Sequence, residues 1–156
     1  MLWLKIVLCV VIVTFCTLLG YFAAGKYRAR KRFYAQLFTF NERYLNELGY
    51  TRRPLSTFLQ ESTYTGEFGK LITSFMKSRE VKLTYPWLKE DERTECSNYF
   101  SMLGKGDALS QKGFFTSRQS MLAEKKATCE HEAKSRSDLY LKLGLLAGLA
   151  FVILIV

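Results

Sequence analysis

Two long apolar stretches at the ends of the chain limit its possible folds more than any other feature. Residues 2–24 contain a single charged residue, Lys5, and residues 139–156 contain only Lys142. A helix rises about 1.5 Å per residue, so the first stretch spans about 34 Å and the second about 27 Å. The hydrocarbon core of a bilayer is ~30 Å thick. The sequence therefore predicts transmembrane helices at residues 1–25 and 139–156, with a separate domain at residues 26–138.

Basic residues flank both apolar stretches on the side of this middle domain. They are Lys26, Arg28, Arg30, Lys31 and Arg32 after the first stretch, and Lys134, Arg136 and Lys142 at the second. Positive flanks are retained in the cytoplasm, so we predict a two-pass protein with both termini outside and the middle domain cytoplasmic. No clear cleavage site of small residues follows the first stretch, and the dense basic run comes directly after it; both favour a retained helix over a cleaved signal peptide.

Small residues are spaced four apart in both apolar stretches. Gly144 and Gly148 form a GxxxG motif, and Gly20 with Ala24 forms a similar pair. This spacing allows two helix backbones to approach closely. In the predicted topology both pairs lie near the cytoplasmic leaflet, at matching depth. We expect either that the two helices pack on each other there or that both form a seam for another membrane protein.

The chain is basic, with 23 Lys and Arg residues against 14 Asp and Glu residues. Such a surplus suits nucleic acid, an anionic membrane surface or an acidic partner. Because much of it lies beside the apolar stretches, membrane topology is the first explanation. Most aromatic residues follow helical stripes, which indicates core packing, so no nucleic acid is expected as a partner. Cys96 and Cys129 are predicted to be free thiols.

The middle domain is predicted to be all-α: a small cytoplasmic helical bundle flanked by the N- and C-terminal transmembrane helices. Helices are expected at residues 28–48, ended by Gly49, from Pro54, at 66–78, from Pro86, and from Ala108 into the second apolar stretch. No stretch shows sustained strand alternation. The stripes expected to be buried are Phe33, Leu37, Phe40, Tyr44 and Leu48; Leu55, Phe58 and Leu59; Phe68, Leu71, Ile72, Phe75 and Met76; Leu88, Cys96, Tyr99, Phe100 and Leu103; and Phe115, Leu122, Cys129 and Ala133.

No set of residues indicates catalysis, a metal site or a cofactor. The single histidine, His131, lies two residues from Cys129, and on a helix such positions point about 200° apart. Residues 104–106 (Gly-Lys-Gly) lack the upstream glycine and the following Ser or Thr of a phosphate loop. The acidic residues between 90 and 95 lie near a helix start, where the helix dipole favours them. The sequence therefore predicts no enzyme.

Two regions of the chain carry a resemblance to a known family. Residues 99–107 with Gln111 are similar to the signature aromatic-Gly/Ser-x-x-Leu-Gly-x-Ser-Asp-x-x-x-Gln, and residues 134–156 are similar to the closing membrane helix of the same family. Tyr50 with residues 54–55 resembles its Tyr-x-x-Thr-Pro-Leu turn. These residues resemble the stage III sporulation protein AB family. We call the following the signature residues: Tyr50, Pro54, Leu55, Phe100, Leu103, Gly104, Asp107 and Gln111. Gly106 and Arg53 depart from the signature, and both changes weaken helix capping.

The resemblance implies a non-enzymatic part of the channel that joins mother cell and forespore, in the mother-cell membrane. It also implies a fold similar to the cytoplasmic helical domain of the type II secretion inner-membrane platform protein. The implied partners are a cytosolic secretion-type ATPase of the same operon and the membrane subunits of the channel. The residues leave one other reading open: a small membrane-bound regulator of a transporter or of anionic lipid, acting through its basic residues. An enzyme with an unrecognised site is a third.

Overall fold

The computed structural model describes residues 2–51, 53–61 and 63–155. Within these residues every regular element is a helix and none is a strand, which confirms the all-α prediction. The elements are α1 (Leu2–Ala23), α2 (Gly25–Asn46), a π-helix (Glu47–Thr51), α3 (Leu55–Glu61), α4 (Gly66–Ser78), α5 (Glu90–Ser101) and α6 (Ala108–Ile155).

The chain forms two compact units. The terminal unit consists of the residues before Ala29 and after Thr128, and so contains α1 and the second part of α6. The central unit, Ala29–Thr128, contains most of α2, the π-helix, α3, α4, α5 and the first part of α6.

The terminal unit exposes apolar side chains along most of its length. Trp3 is 83% exposed, Phe22 74% and Leu154 85%. The helical stretches Trp3–Tyr50 and Ala108–Leu154 each contain a segment that is long and apolar enough to cross a membrane. A contiguous apolar surface of this kind is unfavourable in water. The terminal unit therefore fits a membrane protein.

The central unit is built around aromatic rings. Phe40 is fully buried, and its ring centroid lies between 5.6 and 6.4 Å from those of Phe58, Phe68, Tyr99 and Phe100. These rings come from α3, α4 and α5. Burial of an aromatic side chain removes a large apolar area from water, and tilted or edge-on ring pairs add to that stabilisation. One contiguous core therefore joins the helices of this unit.

In the central unit, α2 and α6 run antiparallel. Asn41 contacts Phe115 and Tyr44 contacts Gln111, so residue numbers fall along α6 as they rise along α2. The chain enters this unit at Ala29 and leaves it after Thr128, and both connections consequently lie at one end of the unit. The turn that precedes α6 lies at the other end.

Most predicted helices and stripes are confirmed. The helix at 66–78 matches α4 (Gly66–Ser78), α6 begins at Ala108, and the stripe of Phe115, Leu122, Cys129 and Ala133 is buried. Three residues expected to be buried are not: Met76 is 38% exposed, and Leu48 and Leu55 are only half-buried. Leu48 lies in the π-helix, whose wider turn moves residues off the α-helical stripe.

Three predicted helix ends differ from the structure. Gly49 lies inside the π-helix, while α2 ends at Asn46. Pro54 immediately precedes α3. Pro86 opens a turn, in which the amide of Leu88 donates to the carbonyl of Tyr85 at 3.2 Å, and α5 begins four residues later. The Glu92 carboxylate accepts from the Lys89 amide at 3.2 Å and so caps the helix there.

Candidate functional site

The small residues singled out from the sequence lie where α1 and α6 approach each other in the terminal unit. A Cβ atom built at Gly20 would lie 2.5 Å from the carbonyl oxygen of Tyr140. At Gly144 it would lie 2.7 Å from the carbonyl oxygen of Cys16, and at Gly148 3.0 Å from Cα of Val13. At Gly20 and Gly144 a side chain would require the neighbouring backbone to shift, whereas at Gly148 a displacement of a few tenths of an ångström would make room for it.

Ala24, the fourth small residue, is fully buried at the break between α1 and α2. Its amide donates to the carbonyl of Gly20 at 3.1 Å, and its own carbonyl accepts from the amide of Tyr27 at 3.2 Å. These backbone bonds carry the chain from one helix to the next.

Basic residues and tyrosines share one end of the α1–α6 pair. The guanidinium of Arg28 lies 3.6 Å from the centroid of the Tyr21 ring and donates to the Tyr21 carbonyl at 2.5 Å. The rings of Tyr27 and Tyr140 stack with centroids 6.1 Å apart. Carbonyls at the last turn of a helix have no partner within the helix. Arg28 therefore caps the C-terminal end of α1, a role that the flanking charge alone did not indicate.

The other basic flank residues divide into two groups. Arg30 is mostly buried, and its guanidinium pairs with a carboxylate in the central unit. The exposed ones are Lys26, Lys31, Arg32, Lys134, Arg136 and Lys142.

A buried carboxylate connects three helices of the central unit. The Glu92 side chain is 1% exposed and accepts from Arg30 Nη2 at 2.5 Å and from Lys125 Nζ at 3.3 Å. Burial alone would raise the pKa of Glu92. The hydrogen bonds from Arg30 and from the Lys89 amide, together with Lys125, lower the pKa by more than burial raises it, so it lies below its ordinary value. Glu92 is therefore ionised and ties α5 to α2 and α6.

A second polar group lies inside the aromatic core. Asn41 is fully buried; its Nδ2 donates to the carbonyl of Phe115 at 3.2 Å and to Gln119, and its Oδ1 accepts from the Tyr99 hydroxyl at 2.9 Å. A buried amide needs such partners because an unpaired polar atom in a core is costly. No local sequence pattern indicates this network, because its members are up to 78 residues apart.

Several signature residues lie together at the end of the central unit opposite its chain connections, which we call the loop end (residues 47–51, 53–55 and 102–109). A Cβ atom at Gly104 would lie 2.9 Å from Leu55 Cδ2, and Gly104 has a positive φ of 75°. Gln111 accepts from the Tyr44 hydroxyl, and its amide nitrogen lies 3.5 Å from the Gly106 carbonyl to which it donates.

The remaining signature residues form the helices around this turn. Asp107 accepts from the amide of Ser110 at 3.4 Å, as expected of a residue that caps α6. Phe100 and Leu103 are buried in the core, whereas Tyr50 is 89% exposed. Pro54 is also exposed. The signature therefore describes a folded turn together with an exposed tyrosine.

Arg53, which departs from the signature, clamps the same end. Its Nε and Nη2 atoms bind the two carboxylate oxygens of Glu47 at 2.8 and 2.9 Å, and its Nη1 binds Glu61 at 2.6 Å. Its backbone amide also donates to Glu47, at 3.1 Å. An arginine here thus replaces helix capping with a two-pronged ion pair.

The residues considered as candidates for catalysis or metal binding do not lie together in one site. Cys129 is buried and His131 exposed, and among the described residues no group of three or more His, Cys, Asp or Glu side chains could hold a metal ion. Burial raises the pKa of the Cys96 thiol to about 12, so this thiol stays protonated at neutral pH. Of the acidic run, Glu92 is buried in its ion pair, while Glu90, Asp91 and Glu95 are exposed.

The fold and the two apolar helical stretches define a helical protein that fits a membrane location. Residues 71–156 match the family model described as stage III sporulation protein AB. Because the match covers more than half of the chain, the chain belongs to the stage III sporulation protein AB family, which implies a role in stage III of sporulation.

The matched region contains the α5–α6 turn and the closing helix, and it begins within α4. Tyr50, Pro54 and Leu55 precede it. No curated protein and no solved structure matches the chain significantly.

Proposed function

We propose that the chain is a non-enzymatic membrane adaptor of the mother cell–forespore channel, which docks a cytosolic secretion-type ATPase to membrane channel subunits. The family supports a place in stage III of sporulation. The observation that carries the proposal is the loop end. A tightly filled core holds it in place, and it presents exposed apolar side chains, Tyr50 at 89% and Leu109 at 79%.

The proposed topology places the central unit in the cytoplasm, where such an ATPase would reach it. The glycine contacts show that α1 and α6 run antiparallel in the terminal unit, since Gly20 lies near Tyr140 and Gly148 near Val13. Residues 26–28 and 134–136 are therefore at the same end of the helix pair. Positive charge at that end favours the cytoplasmic side for it, with both chain termini outside.

The exposed residues of the loop end have the chemistry of a protein contact. Tyrosine is enriched among the residues that carry binding energy, and a large side chain held on a rigid element loses little entropy on binding. Tyr50 lies on the π-helix, which Arg53 fixes through Glu47. The ATPase contact is accordingly assigned to Tyr50, Leu109 and the turn between α5 and α6.

Affinity purification of the full chain from sporulating cells tests the partner. The adaptor proposal expects wild-type protein to recover the ATPase and channel subunits together. It expects Leu109→Asp to lose the ATPase while keeping the channel subunits, because only the loop end is changed. Met76→Asp, a matched change of an exposed apolar residue on α4, should lose neither. Recovery of the ATPase equally by all three proteins would contradict the assigned contact, and absence of the ATPase from the wild-type sample would contradict the proposal.

Cysteine labelling tests the topology. Trp3→Cys and Leu109→Cys each create an exposed thiol, at sites 83% and 79% exposed. In intact cells a membrane-impermeant maleimide should label only the first, and it should label the second after permeabilisation. The reverse pattern would contradict the proposed orientation.

The alternative, a regulator of anionic lipid or of a transporter, is favoured by the cations beside Tyr21, Tyr27 and Tyr140 at the helix ends. It expects the purification to recover anionic phospholipid, or a transporter, in place of the ATPase.

A further inference from the structure

Residues 81–85, between α4 and α5, have the sequence pattern of a β-strand, although the structure shows no strand within residues 2–51, 53–61 and 63–155. The sequence Val-Lys-Leu-Thr-Tyr alternates apolar and polar residues and contains β-branched and aromatic types that favour strands. Burial alternates in the same way: Leu83 is buried, Val81 and Tyr85 are half-buried, and Lys82 and Thr84 are exposed. This two-residue period is that of an extended chain with one face on a core.

No other described residue pairs with the backbone of this segment as a neighbouring strand would. In the part of the chain that the structure describes, the amide and carbonyl groups of residues 81–84 form no hydrogen bond. Leu83 anchors the segment to the core, and the Tyr85 hydroxyl donates to the Glu67 carbonyl at 3.0 Å. The segment is thus fixed in position while its backbone donors and acceptors remain available, as at the edge of a sheet.

The groove beside this segment is lined by two lysines. A pocket of about 240 Å³ lies between α4 and the segment and is lined by Lys70, Lys82, Glu80, Ser74 and Tyr85 among others. Lys70 and Lys82 are exposed, and within the described residues neither forms an ion pair. The local excess of positive charge complements an acidic ligand.

We propose that residues 81–85 are a docking edge for an extended, acidic segment of another protein, which adds a strand to their backbone and places a carboxylate between Lys70 and Lys82. Addition of a strand takes its affinity from main-chain hydrogen bonds and its specificity from the pockets that receive alternate side chains. This surface is separate from the loop end and does not depend on the ATPase assignment.

A second copy of the same chain is a poorer occupant. Antiparallel pairing of two such segments would bring the lysines at position 82 of both copies onto one small ribbon, and like charges placed opposite each other are destabilising. Edge lysines are a common means of preventing such self-pairing. An acidic partner would place carboxylates opposite Lys82 instead of a second lysine, so this repulsion between like charges would be absent.

The test uses the full chain in detergent micelles and a short synthetic peptide in which glutamate and valine alternate. Fluorescence anisotropy should show saturable binding of this peptide and none of a peptide in which lysine and valine alternate. Hydrogen–deuterium exchange should show slower exchange of alternate amides within residues 81–84 when the acidic peptide is bound, because a strand added at one edge bonds every second residue.

Variants separate the charge from the backbone contribution. Lys82→Glu should weaken peptide binding by about fivefold or more, as expected for reversal of an exposed ion pair. Lys112→Glu, an equal charge change elsewhere on the unit, should not weaken it. Thr84→Pro removes one backbone donor and should weaken binding, whereas Thr84→Val keeps the donor and should leave it intact. Circular dichroism would establish that each variant retains its helices.

Three results would overturn the proposal. The first is no binding of the acidic peptide at millimolar concentration. The second is binding that Lys82→Glu and Lys112→Glu weaken equally, since it would reflect net charge alone. The third is protection of residues 81–84 in the free protein that rises with protein concentration, since it would identify a second copy as the occupant.

Discussion

The terminal and central units use the same residue types in opposite ways. In the terminal unit, phenylalanine and leucine point outward and glycine forms the contact, with backbones closer than any side chain would allow. In the central unit, aromatic rings form the contacts between helices, and the glycines lie in turns or open positions except Gly69 on α4, where an added Cβ would clash with the Tyr64 carbonyl oxygen. The hydrophobic effect drives association in water. Between helices in lipid it is absent, and close van der Waals packing takes its place. The surrounding solvent, and not the residue type, thus decides what a side chain contributes.

Phenylalanine gives the largest expected contrast. Phe40→Ala removes a fully buried ring from the central unit and should lower the free energy of unfolding by about 4 kcal/mol. Phe15→Ala removes a ring that is 60% exposed on α1 and should change it by about 0.5 kcal/mol or less in detergent micelles. Denaturant titration followed by circular dichroism measures both. Equal losses would show that the two units do not differ in the way described.

The buried carboxylate gives the next contrast. Glu92→Gln leaves Arg30 and Lys125 without their shared counter-charge, and loss of one member of a buried pair costs about 3 kcal/mol. Glu90→Gln, at a carboxylate that is 86% exposed, should have little effect. Denaturant titration compares the free energy of unfolding of the two variants with that of wild type. A small loss of stability in Glu92→Gln would show that the buried ion pair contributes little to it.

The same carboxylate sets an acid dependence. The folded pKa of Glu92 lies below its ordinary value of 4.5. Its contribution to stability is therefore complete above the unfolded pKa and is lost as the pH falls through the lower, folded pKa. Unfolding titrations between neutral and acid pH should show a smaller decline in Glu92→Gln than in wild type. Identical declines would locate the acid sensitivity in other carboxyl groups.

The buried amide gives a smaller effect. Asn41→Leu keeps the branched shape of the side chain but leaves the Tyr99 hydroxyl and Gln119 without their partner, which should cost about 2 kcal/mol. Adding Tyr99→Phe to this variant should restore part of the loss, since it removes one of the unpaired groups. A double-mutant cycle in denaturant measures this coupling, and strict additivity would contradict the network.

Substitutions of glycine by alanine should have the smallest effect on the free energy of unfolding, and the effect should be stabilising in one unit and destabilising in the other. Gly113 lies within α6 with nothing within 4 Å of an added Cβ, so Gly113→Ala should stabilise the central unit by about 1 kcal/mol through helix propensity. Gly144→Ala would meet the Cys16 carbonyl at 2.7 Å and should instead loosen the contact between α1 and α6. Thermal unfolding measures the first and inter-helix crosslinking the second. Stabilisation by both would show that the close approach is not required.

Local patterns in the sequence predicted most of the helices. The 3.6-residue period gave α4 and the α6 stripe, and the glycines at 104 and 106, both with positive φ, marked the turn before α6. The spacing of Gly144 and Gly148 indicated close helix packing but not its partner. The structure provides that partner in Val13, Cys16 and Thr17 of α1.

Interactions between distant residues could not be predicted in this way. In the sequence Glu92 is one of three acidic residues at a helix start, a position that the helix dipole explains. Only the fold brings Arg30, 62 residues away, next to it. Asn41 interrupts an apolar stripe without a local reason. Proline suits the first position of a helix, which predicts a helix start at Pro86, but a turn satisfies the same backbone restriction.

Disulfide formation between α1 and α6 tests the account most directly. A Cβ atom at Gly148 would lie 3.5 Å from Cβ of Cys16, within the range of about 3.5–4.5 Å found in disulfides. In a chain with Cys9→Ala, mild oxidation of native membranes should therefore crosslink Gly148→Cys to Cys16 within one molecule. The two ends of the chain should then stay joined after proteolysis of the central unit, whereas Leu146→Cys, at a site 61% exposed, should leave them separate. Crosslinking only between molecules, or equal yields at both positions, would contradict the packed helix pair.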